Sequence, residues 1–146
     1  MRSINFDDGR RSFCLNDDPN RVIWINPADI GIMQRLDNVY KRMKTEYDNL
    51  SGREQEITQE EFFNFSDKLK NELNYLFASD VADIILAGAS PLATANGSPI
   101  ILGFLEAVTP IIEEYVKDEA SLMEKRIRKY TEDIEDDRQT SDDNQY

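Results

Sequence analysis

The chain contains no histidine, and its only cysteine is Cys14. These two shortages remove disulfide frameworks, zinc fingers, Cys/His and Ser/His dyads, and the commonest acid or base at neutral pH. A metal site would have to be built from oxygen alone. Long apolar runs are missing as well: no stretch approaches the ~20 residues of a membrane span. Met1-Arg2-Ser3-Ile4-Asn5-Phe6-Asp7-Asp8 has no signal-peptide core, so a cytosolic protein is the expectation. No internal repeat is present.

What the chain does have is acid. Its 146 residues carry a net charge of −12, with 32 % charged and 40 % hydrophobic residues. This composition suits one soluble domain with a modest core and much exposed helix surface. The segment 131–146 holds seven carboxylates against Arg138, half of the net charge. So acidic a chain repels phosphate backbones, which argues against nucleic-acid binding by the folded part.

The longest regular pattern runs from Ser98 to about Ile134. Asn96-Gly97-Ser98-Pro99 supplies a capping hydroxyl and a proline at the first helical position. Apolar residues then recur at Leu105, Val108, Ile112, Val116, Ala120, Met123, Ile127, Tyr130 and Ile134, steps of three and four that keep one stripe on one side. Pro110 predicts a kink or break near Thr109. A helix of ~50 Å outruns a domain this small, so its distal half, from Ala120 on, is expected to project or find a partner.

Before it, Ser3 to Leu15 reads as a hairpin turning at Asp8-Gly9, with Asp7 opposite Arg10 and Ile4 opposite Phe13. Asn16-Asp17-Asp18-Pro19-Asn20 is a loop, and Val22-Ile23-Trp24-Ile25 a third strand apolar on both faces. Asn26-Pro27 caps a helix, with Asp29 in its first turn. Ile30, Met33, Leu36, Tyr40, Met43, Tyr47 and Leu50 form its inner side, and Ser51-Gly52 ends it. Thr58-Gln59-Glu60-Glu61 is a capping box. The helix after it turns Phe62, Phe65, Leu69, Leu73 and Leu76 inward, flanked by Phe63 and Phe77. Ser79 or Asp80 caps a short helix from Val81 to Ala87, and Gly88 to Gly97 is a small-residue connector. Thr131 to Tyr146 is expected to be an acidic, disordered tail behind a single domain over residues 1–130. The fold class is therefore α+β and mainly helical, a small N-terminal antiparallel sheet followed by three or four helices.

Chemistry-bearing constellations are weak. Glu113/Glu114, Glu60/Glu61 and Asp136/Asp137 are sequence neighbours on solvated faces or in the tail, whereas acid/base catalysis needs two carboxyls held apart in different environments. Asp17-Asp18-Pro19-Asn20 lacks the spaced ligands and closing glutamate of an EF-hand. The 88–97 loop has no lysine and is no phosphate cradle. Cys14, with only Arg11 as a basic neighbour, reads as a small buried or half-buried side chain. Lys125, Arg126, Arg128 and Lys129 are interleaved with Glu119, Glu124 and Glu132, a pattern of intrahelical pairs such as Glu124 with Arg128. No catalytic, cofactor or metal residue is assigned. The candidate surface for a partner is the stripe Ala120, Met123, Ile127, Tyr130 and Ile134.

The order of features resembles one family. A β-rich start, Ile25-Asn26-Pro27-Ala28-Asp29 entering a helix, Leu76-Phe77, then Ala82-Asp83-Ile84-Ile85-Leu86-Ala87-Gly88-Ala89-Ser90-Pro91, Phe104-Leu105-Glu106-Ala107-Val108 and a charged tail are similar to the tail assembly chaperones of long-tailed bacteriophages and prophages. The likeness spans about Val22 to Tyr115. Where that family often has Phe-Gly, this chain has Phe77-Ala78, and Leu86-Ala87-Gly88 stands for its Phe-Gly-Gly. The resemblance implies a non-enzymatic protein of the host bacterial cytoplasm that keeps the tape measure protein soluble and helps recruit tail tube protein. It also implies no cofactor, a frameshifted longer form, and absence of both forms from the finished virion. Homo-oligomerisation is compatible with it. Two other classes compete: an acidic DNA mimic that inhibits a nucleic-acid-binding protein, and a carboxylate-only hydrolase requiring a divalent cation.

Overall fold

A computed structural model describes residues 1–53 and 55–143. The first hairpin forms one turn later in the chain than Asp8-Gly9 predicts. Strands β1 (Arg11–Leu15) and β2 (Asp18–Ile25) pair antiparallel, with Phe13 opposite Ile23 and Arg11 opposite Ile25. The turn is Asn16-Asp17, both at positive φ (52° and 59°), the geometry a tight two-residue hairpin needs. The register shifts between Cys14 and Leu15, next to Pro19, which has no N–H to give a ladder.

Asp8-Gly9 fails as a hairpin because its aspartates satisfy the backbone locally. Asp7 Oδ1 accepts from the Gly9 N–H at 2.9 Å, and Asp8 Oδ1 from the Arg10 N–H at 3.0 Å. Arg11 doubles onto both Asp7 oxygens, and Asn26 Nδ2 donates to the Asp8 carbonyl. The predicted pairings of Asp7 with Arg10 and Ile4 with Phe13 are absent, and Ile4 and Phe6 stand 86 % and 77 % exposed.

Helix α1 (Gly31–Leu50) starts after a turn rather than at Asn26. Asn26 Oδ1 accepts from the Ala28 N–H, and Asp29 Oδ1 from the Gly31 N–H, so Asp29 supplies the oxygen at the helix start. The predicted inner side is also corrected. Ile30, Met33 and Tyr40 are exposed, as is Leu36 in part, whereas Ile32 is buried and Val39, Met43 and Leu50 are half-buried. Tyr47's side chain lies outside the described ones. Polar ties to helix α2 (Gln59–Phe77) set this rotation. Arg35 donates to the Leu76 carbonyl at 2.9 Å and to Asp29 at 2.7 Å. Arg42 makes a forked contact with Glu72 and stacks over Tyr75, while Lys68 reaches Glu46.

The Asp29–Arg35 pair makes a pH prediction. The Arg35 guanidinium, ahead of the Gly31 N–H, holds the Asp29 carboxyl below the usual carboxylate range. A lowered folded pKa contributes stability that is full above the unfolded value of about 3.9 and is lost as pH falls through the folded one. Thermal melts of the wild type and Asp29→Asn should therefore differ most near neutrality and converge as the pH falls through the lowered folded value.

Thr58 caps α2 as its sequence predicts, accepting from the Glu61 N–H at 3.1 Å. Only the C-terminal half of the expected stripe is fully buried: Leu73, Leu76 and Phe77 are, while Phe62 and Phe63 remain partly exposed. The helix closes at Ala78, left-handed at φ 51°. A side chain with Cβ is strained there by roughly 1 kcal/mol, so Ala78→Gly should raise the melting temperature by about 2–4 °C.

Helix α3 (Ala82–Leu86) is capped not by Ser79 or Asp80 but by Asn74 of α2, whose Oδ1 accepts from the Val81 and Ala82 N–H groups at 2.8 Å. Its C-terminal carbonyls, those of Ile84 and Ile85, accept from Arg21. The core lies where Ile23 and Ile25 of β2 meet α2 and α3 around the fully buried Val81.

The 88–97 connector contains a second small hairpin, β3 (Thr94–Ala95) with β4 (Ser98–Pro99). Asn96-Gly97 forms its turn with positive φ at both residues. Ser98 and Pro99 are thus strand, not cap, and helix α4 (Ile100–Asp143) begins one residue later. It passes through Pro110 without a break; Thr109 Oγ1 donates to the Leu105 carbonyl at 2.6 Å. It also passes through Thr131, where a disordered tail was expected, because no glycine or proline follows Pro110 to end it. Residues 144–146 of that expected tail lie outside the described residues.

Candidate partner-binding surface

Helix α4 has two halves with different surroundings. In the first, Phe104 meets Phe77 edge-on at 5.6 Å, Val108 is buried, and Tyr115 meets Phe13 edge-on at 6.1 Å. Val116 is partly buried, and from Lys117 through Glu135 every residue is exposed. The 44-residue helix is ~66 Å long, and the exposed stretch from Lys117 to Glu135 spans ~28 Å of it.

The projecting half carries the sequence-predicted site. Ala120, Met123, Ile127, Tyr130 and Ile134 all lie on it, with Met123, Ile127 and Tyr130 each 60–69 % exposed. Their spacing of 3, 4, 3 and 4 residues is the a/d seam of a coiled coil, so the five line one side. Leu122, 55 % exposed, is a further bare apolar side chain on this half, about 100° round the helix from Met123 and so off the a/d seam. Glu124 pairs with Arg128 as expected.

The other candidates do not converge. Glu113 and Glu114 are exposed neighbours, and Glu61 belongs to the α2 cap. The side chains of Asp136 and Asp137 lie outside the described ones. Asp17 and Asp18 belong to the first hairpin, where Asp18 accepts from the Asn20 N–H. Cys14, expected to be covered, is exposed, because it points away from the buried face that carries Ile23. Among the described residues, no three Asp, Glu or Cys side chains gather to hold a cation, and no helix is long and apolar enough to cross a membrane.

Sequence reasoning also missed further exposed apolar side chains. Ile30, Met33 and Tyr40 of α1, which periodicity alone places in the core, are exposed, and Trp24 on β2 is 52 % exposed. No protein-family model, curated protein or solved structure matches the chain.

Proposed function

We propose that this chain is a non-enzymatic tail assembly chaperone of a long-tailed bacteriophage or prophage, working in the host cytoplasm. It holds apolar helical segments of the tape measure protein against the distal half of α4 and helps bring tail tube subunits to that complex. The observation that carries the reading is the bare a/d stripe at Met123, Ile127 and Tyr130 on a stretch of α4 that no other element covers among the described residues. Each such side chain contributes roughly 1.5–3 kcal/mol once covered. A long helical client that repeats this contact many times gains further from avidity.

The DNA-mimic alternative is less well supported. Its carboxylates would have to form a continuous array, yet those of the projecting helix are interrupted by Lys125, Arg126, Arg128 and Lys129. Co-expression with the tape measure protein of the same genome, followed by size-exclusion chromatography with light scattering, tests the proposal. The client should stay soluble and elute with many copies of this chain. Precipitation of the client while this chain elutes alone would refute it.

A further inference from the structure

A groove of about 640 Å³ lies between β1, the second hairpin and the first turns of α4. Its walls are mainly apolar, with Phe13, Leu15, Phe104, Val108 and Ile111 among them. Gly103 of α4 also lines it. A Cβ built there would meet no atom within 4 Å, and the residue sits in ordinary helical backbone. Glycine weakens a helix interior, so the position is explained by what its missing side chain leaves open: space for another chain to approach the helix.

The groove also runs along β1, on the hairpin face that carries Phe13 and Ile23. Phe13, Cys14 and Leu15 all line it, although neighbouring strand residues point to opposite faces. The register shift between Cys14 and Leu15 breaks that alternation and brings consecutive residues to one cavity. Among the described residues β1 has one partner, β2, so its other edge is unpaired.

A segment that suits this edge exists in the chain itself. Arg2-Ser3-Ile4-Asn5-Phe6 alternates polar and apolar residues with the period of a strand, yet it pairs with nothing and exposes Ile4 and Phe6. Within one chain it cannot fold back on β1 while Asp7, Asp8 and Asn26 hold residues 7–10 on another path. Charges agree as well: Glu106 on the groove is exposed and unpaired among the described residues, and Arg2 is the cation of the arm.

We infer that the Arg2–Phe6 arm of one copy adds to β1 of a second copy as a third strand, placing Ile4 and Phe6 in the apolar groove over Gly103. Strand addition of this kind takes its strength from main-chain hydrogen bonds and its selectivity from alternate side chains. The surface is separate from the α4 stripe, so it stands whether or not the chaperone reading does.

Sedimentation velocity on the full chain across a wide concentration range is the test. Wild type should self-associate. Ile4→Asp with Phe6→Asp, which changes only exposed residues, should be monomeric. Gly103→Leu should be monomeric too, with an unchanged or raised melting temperature, since the leucine fills open space in a helix. Met123→Asp with Ile127→Asp should associate like wild type. A monomeric wild type would overturn the inference. So would association that survives both the arm and the groove variants, or that disappears with the α4 variant.

Discussion

Replacing Met123 and Ile127 together by aspartate should abolish client binding while leaving the fold in place. Both side chains are more than half exposed, so their loss costs the isolated chain under about 1 kcal/mol, the usual range for surface substitutions. In the complex the same two residues are covered. Losing two anchors of roughly 1.5–3 kcal/mol each weakens binding by about 10²–10⁴-fold. Circular dichroism melts together with isothermal titration against a soluble helical fragment of the client separate the two effects. A collapse of the melt instead would mean that the stripe is internal packing.

The opposite pattern is expected at Phe77. Its ring is 4 % exposed, meets Phe104 edge-on, and belongs to the cluster that joins α2 to β2, α3 and α4. Phe77→Ala removes a large buried side chain at the point where the first half of α4 docks. The expected loss is about 3–5 kcal/mol, a large share of the 5–15 kcal/mol that holds a typical domain together. Urea unfolding should show the midpoint falling sharply, with the slope unchanged if the transition stays two-state. A loss below about 1 kcal/mol would show that α4 is seated by other contacts.

These two sites also mark how far the sequence could be read. Periodicity located α1, α2 and α4 and ranked α4 as the outlier, because steps of three and four survive whatever the helix packs on; the short α3 was legible from the cap candidates before it and Gly88 after it. The Thr58 cap was legible because both of its partners lie within one turn. Periodicity could not say which side of α1 faces inward. Arg35 and Arg42 turn that helix through contacts with Leu76, Glu72 and Tyr75, thirty or more residues away, so Ile30, Met33 and Tyr40 end outside.

Turn chemistry misled in a similar way. Asp8-Gly9 and Asn16-Asp17 are both good tight turns in isolation. The choice between them rests on Asn26, which holds Asp8 through its side chain and leaves no room for a Cβ at Gly9. Asn74 capping α3 from the neighbouring helix is the same kind of long-range decision. The candidate stripe on α4 was legible because it depends on no such partner. The groove over Gly103 was not, since only the packed hairpin and helix create it.

Amide hydrogen exchange on residues 117–135, with and without the client, tests the central claim most directly. A helix half with no tertiary contact opens locally at little cost and exchanges fast. The account predicts rapid exchange across this segment in the free chain and strong protection, centred on Met123 to Tyr130, once the client is bound. Protection already present in the free chain, or a segment that the client leaves as fast as before, would contradict it.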